Sequence, residues 1–135
     1  MADTSGLLAY FKRDEPQHAA VNAIIEAAGE PLVVSPFVVA ELDYLVGTRL
    51  GVDAELEVLR ELSRGAYDLP TLTAADLAAC TAVIDKYRDQ SIGVTDASLV
   101  VLAKRYGTRD ILTLDRRHFD VLRPLTGGRF NLLGG

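Results

Sequence analysis

The chain has 135 residues, 49% of them hydrophobic and 24% charged, which fits one globular domain rather than a membrane-spanning or disordered protein. Its 19 acidic against 14 basic residues give a formal charge of −5, opposite in sign to the surface most nucleic-acid binders present. No apolar run reaches bilayer-spanning length, no basic-then-apolar leader opens the chain, and the single Cys80 excludes an internal disulfide, so a cytoplasmic setting is expected.

In chain order, Thr4 or Ser5 is expected to cap a first helix through Leu7, Leu8, Tyr10 and Phe11, ending near residues 12–14. Pro16 fits the first turn of a second helix through Ala19, Val21, Ile24 and Ile25, closed by Gly29. Residues 32–34 read as a short buried strand. Ser35 and Pro36 then read as N-cap and first residue of a helix reaching about Leu50, with Phe37, Val38, Leu42 and Leu45 on its apolar face. Glu41 lies four residues from both Phe37 and Leu45, so it is expected on that stripe, where a carboxylate is costly to bury without a partner or a metal ion. Asp43 is expected to face solvent.

Gly51 separates that helix from another over residues 52–64, ended by Gly65, whose Glu55, Glu57, Arg60, Glu61 and Arg64 read as a solvated face. Residues 67–69 suggest a strand stopped by Pro70. Thr73 and Asp76 resemble a capping box with Asp in place of the usual Glu or Gln, opening a helix in which Cys80 is a small buried hydrophobe. A loop from Asp89 leads to a helix carrying residues 99–103. Thr95 is its expected N-cap, and Asp96 sits in its first turn, where the helix dipole favours negative charge. After Gly107, residues 111–114 form a strand that ends in Asp115, followed at once by Arg116, Arg117 and His118; residues 129–133 form a last strand. Short apolar strands alternating with longer helices imply a three-layer α/β/α sandwich around a short parallel sheet, with residues 1–135 as one domain.

In such a sheet every strand end that leads into a helix lies on one edge, and ligands bind beyond that edge. Asp3, Asp96 and Asp115 can converge there, and Glu41 can lean toward it. Carboxylates brought together raise one another's pKa unless a cation compensates, and their hard oxygens suit Mg²⁺ or Mn²⁺. The matching chemistry is metal-assisted phosphodiester hydrolysis. No Cys/His spacing suits zinc, and no Ser/His/Asp set, Walker loop or Gly-x-Gly-x-x-Gly is present. Bound divalent ions would offset much of the negative charge, and Arg116, Arg117, Lys104, Arg105 and Arg109 cluster near the expected edge as phosphate contacts.

Four segments, DTSGLLAYF at 3–11, SPFVVAEL at 35–42, GVTDAS at 93–98 and LTLDRRHF at 112–119, resemble the PIN-domain nucleases and, within them, the VapC toxins of bacterial type II toxin–antitoxin systems. They occur in family order over nearly the whole chain. The resemblance implies an endoribonuclease whose Asp3, Glu41, Asp96 and Asp115 hold Mg²⁺ or Mn²⁺ and activate water. Ser5 and Thr113 match polar positions that support the acidic cluster, and Asp89 matches a further acidic position ahead of it. It also implies a homodimer, paired in a heterotetramer or larger complex with a VapB-type antitoxin whose C-terminal segment enters the active-site groove. The implied substrate is structured RNA, either transfer RNA or the sarcin–ricin loop of ribosomal RNA. Only Met1 and Ala2 precede Asp3, where the family has a central strand, which leaves three readings: a true start further upstream, a trimmed start, or a strand reduced to a stub. This favours one alternative, a catalytically weak or inactive PIN-fold module that binds an antitoxin or RNA; a housekeeping RNA-processing nuclease is the other.

Overall fold

The computed structural model describes residues 1–134. The elements are α1 (Thr4–Phe11), α2 (His18–Ala27), β1 (Leu32–Val33), α3 (Pro36–Leu50), α4 (Val52–Leu62), β2 (Tyr67–Asp68), α5 (Ala74–Lys86), α6 (Val94–Tyr106), β3 (Asp110–Leu112), α7 (Arg116–Phe119) and β4 (Asn131–Leu133). A short 3₁₀ turn, Arg88–Gln90, joins α5 to α6. β1 pairs in parallel with β2, Leu32 opposite Tyr67, and β3 pairs in parallel with β4, Asp110 opposite Asn131.

Ala2 joins these two pairs through parallel bridges to Val34 on one side and Leu112 on the other. The resulting order is β2, β1, Ala2, β3, β4. A single residue, Ala2, thus occupies the central strand position. The Ala2 amide donates to the Val33 carbonyl at 3.0 Å, the Asp3 amide to the Leu112 carbonyl at 2.9 Å, and the Leu112 amide to the Met1 carbonyl at 2.8 Å. Ala2 is fully buried at the middle of the sheet, so the residue that follows it emerges at the carboxyl edge.

Helices cover this sheet as the expected α/β/α sandwich. α3 packs against α1, α4 and α6, and α5 packs against α6. α6 buries seven consecutive residues, Ala97 to Ala103, the pattern of a helix enclosed on all sides rather than lying on a surface. The core is made of Leu7, Val38, Leu42, Val46, Leu99, Leu102, Ile111 and Leu112 with smaller residues between them. Gly6 lets α1 lie directly on β3: a Cβ there would stand 2.8 Å from the Leu112 carbonyl oxygen. That close approach sets the start of α1 beside the end of β3. No helix among the described residues is long and apolar enough to cross a membrane.

Several local expectations shift by a residue or two. Asp3, not Thr4 or Ser5, caps α1, its Oδ1 accepting from the Thr4 amide at 2.8 Å. Pro16 lies in the turns before α2, which begins at His18. α4 ends at Leu62, and α6 is capped by the extended backbone of Gly93 rather than by Thr95. Ser35 caps α3 as expected, its Oγ accepting from the Phe37 amide at 3.2 Å. The Thr73/Asp76 capping box forms with both of its reciprocal bonds.

Two carboxylates of α3 depart from expectation. The buried stripe is Val38, Leu42 and Val46, one position round from the Phe37–Glu41–Leu45 row, so Glu41 is exposed rather than turned into the core. Asp43, expected in solvent, faces Glu55 of α4 instead. Its Oδ1 is buried without a hydrogen-bond partner, and a hydrogen bond with Asp43 first, then its charge, raises the Glu55 carboxyl.

Candidate active site

A groove of about 350 Å³ opens at the carboxyl edge of the sheet, and Asp3, Glu41, Asp96 and Asp115 all line it, with Ser5, Thr95 and His118. The four acidic residues expected at this edge therefore share one groove. A larger hollow of about 1050 Å³, lined by Tyr10, His18, Arg13, Arg60 and Glu61 among others, contains none of them.

Asp3 is the innermost member, 7% exposed at the joint of sheet and α1. Its Oδ1 accepts from the Thr4 amide, and its Oδ2 accepts from the Thr113 hydroxyl at 2.9 Å and, at 3.4 Å, from the Ser5 hydroxyl. Ser5 Oγ in turn accepts from the Leu114 amide at 2.9 Å, and Thr113 Oγ1 accepts from the Asp115 amide at 3.1 Å. Ser5 and Thr113 thus tie the first carboxylate to the loop that carries the last. Burial pushes the Asp3 carboxyl up to about 6 against the pull of Thr113 and Thr4, with the charges of Asp96 and Glu41 adding to the rise.

Asp96 sits in the first turn of α6, 17% exposed at its side chain, and its Oδ2 lies 2.6 Å from Nδ1 of His118. Burial raises this carboxyl too; His118 opposes the rise, and Glu41 and Asp115 add to it. The start of α6 is fixed to the start of α3 through two fully buried hydroxyls. Ser98 Oγ donates to the Thr95 carbonyl at 2.6 Å, and Ser35 Oγ lies 2.8 Å from Ser98 Oγ. One hydroxyl pair therefore holds the helices that bear Asp96 and Glu41.

Asp115 caps α7, its Oδ1 accepting from the Arg117 amide at 3.2 Å. The Arg117 guanidinium grips the same carboxylate through Nε at 3.0 Å and Nη2 at 2.8 Å, and holds it well below the usual carboxylate range, at about 2. Arg116 pairs with Asp120 at 3.5 Å on the exposed side of α7. Asp89 lies exposed in the 3₁₀ turn and is not part of the groove wall, while Arg105 is engaged by Asp76 and the Thr71 carbonyl of the α5 region. His118 and the Ser35–Ser98 pair are the contributors that spacing alone does not reveal. The chain order places His118 beside Asp115, but its partner is Asp96, reached across the groove.

Among the described residues, no three acidic, His or Cys side chains stand close enough together to grip an ion; Asp96 is bonded to His118 through one oxygen, and Asp115 to Arg117. The donor chemistry nevertheless fits a hard divalent cation. Every acidic donor is a carboxylate, and burial together with mutual repulsion raises Asp3 and Asp96, a strain that added positive charge in the groove would relieve.

Comparison with known proteins agrees with this architecture. The PIN domain family pattern matches residues 1–123. Ribonuclease VapC26 of Mycobacterium tuberculosis is 60% identical over 131 residues, which cover 97% of each chain. The fold is similar to the crystal structure of the sarcin–ricin-loop-cleaving toxin VapC20 of Mycobacterium tuberculosis, with a TM-score of 0.78 at 16% identity over 84% of this chain and 88% of that one. It is also similar to FitAcB of Neisseria gonorrhoeae, with a TM-score of 0.57 at 18% identity over 88% and 89% of the two chains. The chain belongs to the PIN-domain family, as a member of the VapC type.

Proposed function

We propose that the chain is a Mg²⁺- or Mn²⁺-dependent endoribonuclease, the toxin of a VapB–VapC pair, acting as one cytoplasmic domain. The observation that carries this reading is the groove at the sheet edge, where the buried Asp3 shares its wall with Glu41, Asp96 and Asp115. These four would hold the ion. When bound, it lowers the pKa of a water that attacks the phosphodiester and steadies the departing oxygen.

The chain's own contributions are positional. Ser5 and Thr113 hold Asp3 against the end of β3, and the Ser35–Ser98 pair holds the two helices that bear Glu41 and Asp96. Arg116 and Arg117 lie on α7 at the rim, where guanidinium groups suit phosphate oxygens. The 60% identity to Ribonuclease VapC26 supports RNA as the substrate. Structured RNA, transfer RNA or the sarcin–ricin loop, is the proposed target; the second is what VapC20 is named for. A VapB-type antitoxin entering the groove and a homodimeric assembly complete the reading. The alternative of an inactive module rested on a missing strand, and the two bridges of Ala2 favour the active reading instead.

The test is cleavage of transfer RNA and ribosomal RNA by the full chain with Mn²⁺ or Mg²⁺. Cleavage should vanish with EDTA and with Asp96→Asn. Cleavage that survives both treatments would overturn the proposal.

A further inference from the structure

α7 is four residues long, yet it links two walls of the groove. Asp115 caps its start, and His118, one turn later, reaches Asp96 on α6 with Nδ1 2.6 Å from Oδ2. A carboxylate oxygen can only accept here, so the imidazole Nδ1–H donates. The ring is well anchored. The next residue, Phe119, is buried edge-on against Phe130 with centroids 6.1 Å apart, and the Leu122 amide donates to the His118 carbonyl at 2.8 Å.

Asp96 is more buried than its partner, and Glu41 and Asp115 share the groove with it. A carboxylate between other carboxylates, with one oxygen already bonded, has one remaining oxygen to offer an ion. We infer that His118 is a positioning residue: its Nδ1–H fixes Oδ2 of Asp96 so that the carboxylate presents its other oxygen to a divalent cation in the groove. The inference rests on the metal-site reading proposed above and extends it to a residue outside the acidic set. Hydrogen bonds that orient a ligand in this way commonly matter to metal affinity by 10–100-fold.

The geometry also distinguishes this role from a direct contact with RNA. Only Nδ1 is engaged with Asp96, and an Asn side chain can place an N–H where Nδ1–H stands, whereas it lacks anything in the position of Nε2. The test is titration of the full chain with Mn²⁺, with the unbound ion followed by electron paramagnetic resonance, for the parent, His118→Ala, His118→Asn and His118→Gln. Thermal unfolding of each variant in EDTA reports whether it has folded.

The expected result is Mn²⁺ affinity lowered about tenfold in His118→Ala and His118→Gln, and kept within about threefold of the parent in His118→Asn. RNA cleavage by His118→Ala should recover as Mn²⁺ is raised, with KM for RNA unchanged. Parent-like Mn²⁺ affinity in His118→Ala overturns the inference while leaving the metal site intact. So does a loss in His118→Asn equal to that in His118→Ala, or a change confined to KM for RNA, which would mark Nε2 as a substrate contact. If His118→Ala fails to fold, the comparison of His118→Asn with His118→Gln decides in the same way. No stoichiometric Mn²⁺ binding by the parent overturns the metal reading itself, and this inference with it.

Discussion

Asp3→Asn should make the fold less sensitive to rising pH, at the expense of activity. Ionised Asp3 stands almost entirely out of solvent, and burial, reinforced by Asp96 and Glu41, moves its midpoint from 3.8 to about 6. At 1.36 kcal/mol per tenfold change in proton affinity, this difference is worth about 3 kcal/mol. The sign follows from proton binding: between pH 3.8 and about 6 the folded chain holds this proton and the unfolded chain releases it. Stability therefore falls as pH rises through that window and levels off above it. Asn keeps an oxygen for the Thr4 amide and cannot ionise. Subtracting the parent's profile from that of Asp3→Asn cancels groups that titrate in both, and the difference should grow by about 2.4 kcal/mol in favour of the variant between pH 4 and pH 8, the rest of the effect lying below pH 4. Urea unfolding in EDTA at each pH, with equal m-values required, measures it. Parallel profiles, or a variant that loses ground as pH rises, would refute the assignment of Asp3 as a buried, repelled carboxylate. Added Mn²⁺ should then stabilise the parent and leave Asp3→Asn nearly unmoved.

Gly6→Ala should destabilise the chain by roughly 1–3 kcal/mol, read as a lowered Tm, because its Cβ would meet the Leu112 backbone at 2.8 Å and the strand cannot yield. Ser35→Ala and Ser98→Ala should each cost about 1–3 kcal/mol in denaturant unfolding, with the double variant costing clearly less than the two combined, since each hydroxyl is the other's partner. Arg117→Gln should change stability by less than ~1 kcal/mol, because its pair with Asp115 is exposed, yet weaken RNA binding and flatten its salt dependence by about one phosphate contact. Thr73→Ala should lower stability by about 1 kcal/mol through loss of the capping box without altering RNA cleavage, a control remote from the groove.

Three of the four acidic residues were legible because each sits beside a local signal. Asp115 follows a strand, Asp96 opens a helix, and Asp3 precedes one. What could not be read locally depends on how elements cross. The α3 stripe is centred on Val38, Leu42 and Val46 because α1 and α6 press there, which turns Glu41 outward by one position. The nearness of Asp43 to Glu55 follows from the packing of α4 on α3, and the His118–Asp96 contact from the short reach of α7 over α6. A strand one residue wide has no period to detect, so Ala2 was visible only as an absence of apolar residues before Asp3.

That single residue has a practical consequence. The amides of Ala2 and Asp3 are adjacent in the chain but point to opposite halves of the sheet, one to the Val33 carbonyl and the other to the Leu112 carbonyl. Their hydrogen-exchange rates are thus a pair of separate gauges, the first for the β1–β2 leaf and the second for the β3–β4 leaf. An antitoxin, an RNA or a distant substitution that loosens only one leaf would quicken only one of the two amides. The ratio between these neighbours would then tell which side of the molecule had opened.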